Sequence, residues 1–483
     1  MPNSITQAQP PLKFIPPTYN PIVRQVASFA LPLWMQWRLN LREIAVDQPE
    51  TLLKLYEQFQ AGQTRFMLAF RHPSTTDPYC MYYLLSRYLP SVARQQGIEL
   101  KSPIHAHFIY DRGIPLWAGK HIGWFFSRLG STPIRRGKLD TVGLRSARNL
   151  FTDGQFPLAA APEGATNGHS EIVSSVEPGI VQLGFWCAED LVKAGRSEKV
   201  LIVPIGIQYQ YISTPWTALE KLLSELEQDA GLSPNVPEAD LAWIQSHTAL
   251  TDRYHAQIYR RLIQLAEHLL TLMEDFYRKF YRQTFSAVQQ EQAANPEAVQ
   301  ADAVGALPTN HHIAQRLQSL MNAALRVAET YFDIQSKGDF NERCRRLEQA
   351  GWDRIYREDL KQIEALSPVA RGLADRIAEE ANLRLWHMRL VESFVSVTGQ
   401  YVIEKPTVER FSETLLLLWD MVARLKGTHS FSRPRLGAQR VQMTIGDPLS
   451  VSDRWQSYKE NRRQAVANLT QDIQQSLEKM IRM

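Results

Sequence analysis

The chain has 483 residues, 44% hydrophobic and 22% charged, with a formal net charge of +4; this length favours two or more domains around a substantial core, and the composition excludes disordered and fibrous classes. The mild charge permits an anionic partner without demanding one, and no basic run carries the interleaved aromatics of a nucleic-acid surface. Cys80, Cys187 and Cys344 are widely spaced and odd in number, which argues for a reducing compartment and against a disulfide framework or thiolate metal site.

Residues 1–19 are polar, proline-containing and poor in charge; they do not read as a cleaved signal and are expected to form a flexible N-terminal segment. Val26 to Trp37 is apolar but far shorter than the roughly twenty residues that cross a hydrocarbon core. It can lie in a membrane interface, with Trp34 and Trp37 at headgroup depth and Arg38 and Arg42 near anionic lipid, or it can pack as a core helix.

From Gln48 to Gly62, Leu52, Leu53, Leu55 and Phe59 recur at helical spacing. Arg65–Phe70 then reads as a buried strand that feeds a turn, Arg71-His72-Pro73-Ser74-Thr75-Thr76-Asp77-Pro78, and a helix from Asp77 through Leu89 closed by Pro90. In that turn an imidazole and a carboxylate stand five positions apart. If Asp77 holds the tautomer of His72, the free ring nitrogen can take a proton from an alcohol that attacks a carbonyl carbon. The alternative is a surface histidine beside an aspartate that caps the following helix.

Pro103–Tyr110 alternates as a strand, with His105 and His107 on one face as a metal pair without a third ligand, or as packing residues. A helix over Trp117–Leu129 ends at Gly130 in the manner of a left-handed C-cap. The loop Gly130-Ser131-Thr132-Pro133-Ile134-Arg135-Arg136-Gly137 offers two guanidinium groups suited to phosphate, or simply two surface arginines. After a helical stretch at Arg145–Leu150 comes a short apolar run, Phe156–Ala161, and the tight turn Pro162-Glu163-Gly164-Ala165-Thr166. Glu163 can orient an acceptor or pair with Arg136, and Gly164 admits close backbone approach; a cap and a solvated carboxylate are the alternative. A helix near Gln182–Ala194 and a strand over Val200–Gly206, containing Val203-Pro204-Ile205, complete an alternating pattern that implies a sheet covered by helices. Pro204 and its neighbours can line an acyl channel or belong to the core.

Beyond Tyr211 the patterns are helical: Pro215–Glu227, Glu238–Gln289, Ile313–Tyr331, Arg343–Glu364, Pro368–Val397 and Thr407–Arg424, with Gln290–Pro308 as a linker. Arg343-Cys344-Arg345-Arg346 reads as a solvated face or a phosphate patch. Val441–Ile445 alternates as a strand, Gly446–Leu449 turns it, and Asn461–Ile481 is a last helix. A lone strand after so long a helical stretch fits a late strand of the N-terminal sheet.

In order and spacing, four blocks resemble the glycerolipid acyltransferase family, the 1-acylglycerol-3-phosphate acyltransferases. His72 and Asp77 match the histidine-four-residues-aspartate motif, Gly130 and Arg136 the glycine-to-arginine motif, Ala161–Thr166 the Phe-Pro-Glu-Gly-Thr-Arg motif, and Val203-Pro204-Ile205 the proline motif. The resemblance implies an α/β fold, a central mixed sheet flanked by helices, here with a large all-helical insertion. The expected organisation is a flexible segment at 1–19, an acyltransferase domain at 20–213 and 431–483, and an insertion of unassigned role at 214–430.

It further implies that His72 is the base, that Asp77 orients it, and that Gly130, Arg135, Arg136, Glu163, Gly164, Thr166 and Pro204 bind substrate. The donor would be acyl-CoA or acyl carrier protein and the acceptor a lysophospholipid, preferentially 1-acyl-sn-glycerol 3-phosphate, at the cytoplasmic face of a membrane reached by peripheral or monotopic attachment. The scheme calls on no cofactor, metal or nucleic acid. Glycerol 3-phosphate, another lysophospholipid, or a non-catalytic lipid-binding scaffold are the alternatives. Thr166 replaces the motif's arginine, for which Arg135, beside Arg136, is the expected substitute, and Arg71 stands where asparagine is common.

Overall fold

The computed structural model describes residues 7–115, 119–135, 140–233, 235–285, 310–362, 365–397, 399–428 and 433–482. The chain divides into two compact units, Leu12–Ile212 with Ala438–Met483, and the chain up to Pro11 with Ser213–Gly437.

The first unit is α/β. Its strands are β1 (Leu41–Asp47), β2 (Thr64–Phe70), β3 (His107–Asp111), β4 (Thr132–Ile134), β5 (Leu158–Ala160), β6 (Lys199–Tyr211), β7 (Gln439–Ile445) and β8 (Leu449–Ser450). They form one mixed sheet in the order β1-β7-β6-β2-β5-β3-β4, with β8 beside β6. Strands β2 to β6 are mutually parallel along their pairings, and β7 and β8 run antiparallel to β6. The late strand thus joins the sheet, between β6 and β1.

Helices α1 (Pro21–Trp37), α2 (Pro49–Gln60), α3 (Asp77–Tyr83), α4 (Leu89–Gln95), α5 (Lys120–Arg128), α6 (Thr141–Asp153) and α7 (Pro178–Lys193) connect these strands. Alternation along β2 explains why the sheet is covered on both sides. Phe66, Leu68 and Phe70 pack in a core with residues of α1, α2 and α3, whereas Met67 and Ala69 pack in a second core with α6, α7 and the C-terminal helix Arg462–Lys479. β2 is buried at every position, so its end is a rigid platform for the turn that follows.

Several boundaries differ from the sequence expectation. Pro90 does not close a helix: a π-helical turn at Leu84–Tyr88 precedes it and α4 carries on to Gln95, because a proline in the first turn of a helix loses no bond. Strand β3 begins only at His107. The expected helix from Glu238 onward is two, Glu238–His247 and Arg253–Tyr281, the second capped by Asp252 on the Tyr254 N–H. Residues before α1 are hydrogen-bonded: Thr18 and Asn20 donate backbone N–H groups to Ser127 and Arg128 carbonyls.

The second unit, among its described residues, is built from helices, the longest being Arg253–Tyr281, Asn310–Phe332, Pro368–Glu392 and Val408–Leu425. Gln9 pairs with Tyr356 within it. Buried ion pairs tie its helices, Arg261 to Glu227 at 2.7 Å and Arg343 to Glu329 at 2.7 Å. Arg343 therefore belongs to the interior and not to a solvated or phosphate-binding face. The expected linker Gln290–Pro308 lies outside the described residues.

Candidate active site

The parallel run of β2, β5, β3 and β4 brings the segments after those strands to one edge of the sheet, the edge at which open α/β sheets carry their ligand sites. His72 follows β2, Glu163 follows β5, Arg112 follows β3 and Arg135 follows β4.

Arg71 extends the β2 ladder by donating its N–H to the Ile205 carbonyl at 2.9 Å, and the chain then turns. His72 Nδ1 lies 3.0 Å from Asp77 Oδ2, with the imidazole 21% exposed and the carboxylate fully buried. A carboxylate only accepts, so this contact assigns the proton to Nδ1 and leaves Nε2 as the basic nitrogen. Asp77 is the first residue of α3, whose N-cap, Thr76, makes no side-chain capping bond. The Asp77 oxygens are taken by His72, by the Ser74 N–H at 2.8 Å and by the Tyr209 hydroxyl, which donates to Oδ1. Thr76 Oγ1 donates in turn to the Tyr209 hydroxyl oxygen at 2.8 Å. Neither Thr76 nor Tyr209 carries a sequence signal for this role, because Tyr209 reaches the turn from β6.

Glu163 is turned inward. Its Oε1 accepts the His72 backbone N–H at 2.7 Å and its Oε2 accepts the Ser174 N–H at 2.8 Å. The Arg71 guanidinium is 3.8 Å from Oε1 and is otherwise spent on the carbonyls of His169, Ser170 and Ile172. Arg71 is thus a buried clamp that ties the β2 turn to the loop after Glu163, and Glu163 completes it. Gly168 N–H to the Pro73 carbonyl at 3.2 Å closes the same contact.

Gly164 has φ +75°, and a Cβ there would fall 1.8 Å from Glu177 Oε1, so the close approach that requires glycine is to Glu177. Thr166 is partly exposed in the same loop. Pro204 is buried opposite Ala69 of β2. Its carbonyl accepts the Gly446 N–H at 2.9 Å, and its missing N–H faces the gap between β8 and β7, where a central strand tolerates proline.

Gly130 is not brought to His72. It precedes β4, at the opposite edge, and ends α5: Gly130 N–H reaches the Ser127 carbonyl and Ser131 N–H the Phe126 carbonyl, the pair of bonds that a left-handed residue (φ +76°) permits. Its own carbonyl accepts from His107 Nδ1 at 2.8 Å, as the Leu129 carbonyl accepts from His105 Nε2 at 2.8 Å. Burial pushes the His105 imidazole down to about 3 and that of His107 to about 4, so both stay neutral packing groups. Among the described residues no cluster of three metal-ligating side chains occurs.

Arg135 follows β4 with its N–H on Asp140 Oδ2 at 2.9 Å, and Arg112 Nη2 is 2.5 Å from the same oxygen. Asp140 also caps α6 through the Gly143 N–H at 3.0 Å, so one carboxylate organises the edge beside β4. Three strand spacings, about 14 Å, separate the ends of β2 and β4. Arg136 lies outside the described residues.

No protein-family model matches the chain, and no curated protein matches it.

Proposed function

We propose that the chain is an O-acyltransferase that moves a fatty acyl group from an acyl thioester, carried by coenzyme A or acyl carrier protein, to the sn-2 hydroxyl of 1-acyl-sn-glycerol 3-phosphate. The observation that carries this reading is the His72–Asp77 pair, 3.0 Å apart, with a part-exposed ring on a buried carboxylate at the carboxyl edge of the parallel strands. In the proposed reaction His72 Nε2 takes the hydroxyl proton as the oxygen attacks the thioester carbonyl. The tetrahedral intermediate then expels the thiolate by breaking the C–S bond, and the imidazolium returns the proton to sulfur. Asp77 holds the ring through Nδ1. The resemblance assigns the acceptor phosphate to Arg135 and Arg136; Arg135 follows β4, about 14 Å from the end of β2, a distance that an extended arginine and a glycerol phosphate together can span.

The acceptor and product carry long acyl chains, and a surface suited to lipid supports the same reading. Leu31 and Met35 bury one side of α1, while Ile22, Val26, Phe29, Leu33 and Trp37 line the other as an exposed stripe; Phe29 is 74% and Trp37 85% exposed. Exposed Arg38 and Arg42 follow it. No described helix is long and apolar enough to cross a membrane, so the attachment proposed is peripheral or monotopic. A matrix of acyl-CoA and acyl carrier protein donors against lysophosphatidate, glycerol 3-phosphate and lysophosphatidylcholine tests the reading: transfer highest with lysophosphatidate supports it, and no transfer to any acceptor removes it.

A further inference from the structure

We propose that Tyr209 is a positioning residue for His72, acting through Asp77: its hydroxyl fixes one carboxylate oxygen and so keeps the other, which the Ser74 N–H shares, turned to the imidazole. The inference rests on the reading of His72 as the base, but its geometry stands without it. Tyr209 belongs to β6, where its backbone is held opposite Val441 of β7, so the phenol reaches Asp77 from a rigid strand and not from the turn it serves. The hydroxyl donates to Asp77 Oδ1 while His72 Nδ1 and the Ser74 N–H share Oδ2.

The direction of each proton is dictated by the neighbours. Ionised Asp77 can only accept, so Tyr209 must donate to it; the phenol oxygen is then free to accept, and Thr76 Oγ1 supplies that proton at 2.8 Å. Ser74 Oγ and Thr76 Oγ1, 2.9 Å apart, continue the chain toward the loop surface. Burial, with the Asp77 carboxylate next, holds the phenol well above its ordinary range, so it stays a donor throughout the working range of pH. Asp77 itself is wholly buried, where a hydrogen bond to a charged group is strong and a vacated carboxylate oxygen is costly. Without the phenol no described group donates to Oδ1, and the orientation of the carboxylate is left to the two donors on Oδ2, the ring and the Ser74 N–H.

Tyr209→Phe removes one oxygen and tests this on the full-length protein in two independent ways. With histidines labelled by nitrogen-15, the Nδ1–H of His72 gives a downfield proton resonance, assigned by its loss in His72→Ala. Tyr209→Phe is expected to move it, because the carboxylate becomes a stronger acceptor for the ring. Replacing Tyr209 by 3-fluorotyrosine, a near-isosteric and stronger donor, is expected to move it in the opposite direction, which keeps the test usable if the phenylalanine variant is unstable. In acyl transfer, kcat of Tyr209→Phe is expected to fall about 10- to 100-fold, the loss of one hydrogen bond to a charged group, with KM for both substrates little changed. An unmoved resonance in the folded variants overturns the proposal. A moved resonance in a protein with no acyl transfer to any acceptor leaves the positioning intact and removes the acyltransferase reading instead.

Discussion

The backbone N–H of His72 is bonded to Glu163 Oε1 at 2.7 Å, which fixes the turn after β2 to the turn after β5. Two of the blocks that resemble acyltransferase motifs are therefore one physical unit, joined by a side chain that the sequence assigns to substrate. If Glu163 acts by placing His72, Glu163→Gln lowers kcat and leaves KM for the acceptor unchanged; steady-state kinetics in both substrates checks this. Glu163→Ala strands two N–H groups and the buried Arg71 cation, and is expected to cost about 3–5 kcal/mol of stability.

Gly164→Ala is expected to destabilise the protein by at least ~1–2 kcal/mol, since φ +75° disfavours any Cβ. The new methyl would also meet Glu177 Oε1 at 1.8 Å and force that carboxylate aside. Thermal unfolding followed by circular dichroism should show a fall of several degrees, at about 2–4 °C per kcal/mol for a domain of this size.

His105 and His107 predict an acid sensitivity that does not involve the proposed base. Burial lowers them from 6.5 to about 3 and about 4, so between those values and 6.5 the unfolded chain binds more protons than the folded one. Their stabilisation is complete above 6.5 and is lost as pH falls through that value, by about 1.4 kcal/mol per histidine per pH unit. Urea unfolding at pH 7.0, 6.0 and 5.0 checks this, and His107→Asn should flatten the slope whatever it does to the stability itself.

The exposed face of α1 predicts vesicle binding. Phe29→Ser with Trp37→Ser is expected to reduce sedimentation with anionic phospholipid vesicles at least tenfold while leaving the far-ultraviolet spectrum unchanged, since both side chains are already in solvent. Reversing the charges of Arg38 and Arg42 should weaken the same binding more at low than at high salt.

What the sequence made legible was mostly local. The apolar runs behind β2, β5 and β6 are strong period signals, and the turns that follow them carry the reactive residues. β1 went unread because Leu41–Asp47 mixes charge with apolar residues and finds its parallel partner only in Gln439–Ile445, nearly the whole chain away. β4 is three residues with a proline at its centre, and reads as a loop until β3 lies beside it. At the site, the five-residue spacing of His72 and Asp77 was readable, and the donors on Asp77 were not, because Tyr209 meets it only in the fold. Arg71 read as a departure from the motif's asparagine and Glu163 as a ligand for substrate; burial makes them partners of each other and of backbone. Gly130 was legible as the left-handed end of a helix, as it is; its place at the far edge of the sheet, away from His72, was not.

His72 is proposed as the base of an acyl transfer. The direct measurement is the rate at which purified full-length protein and its His72→Ala variant move an acyl group from a thioester to 1-acyl-sn-glycerol 3-phosphate, with folding of both verified by unfolding curves. The variant is expected to lose roughly three orders of magnitude or more in kcat, in line with removal of a general base and the attack it aligns. Undiminished transfer by the folded variant would contradict it.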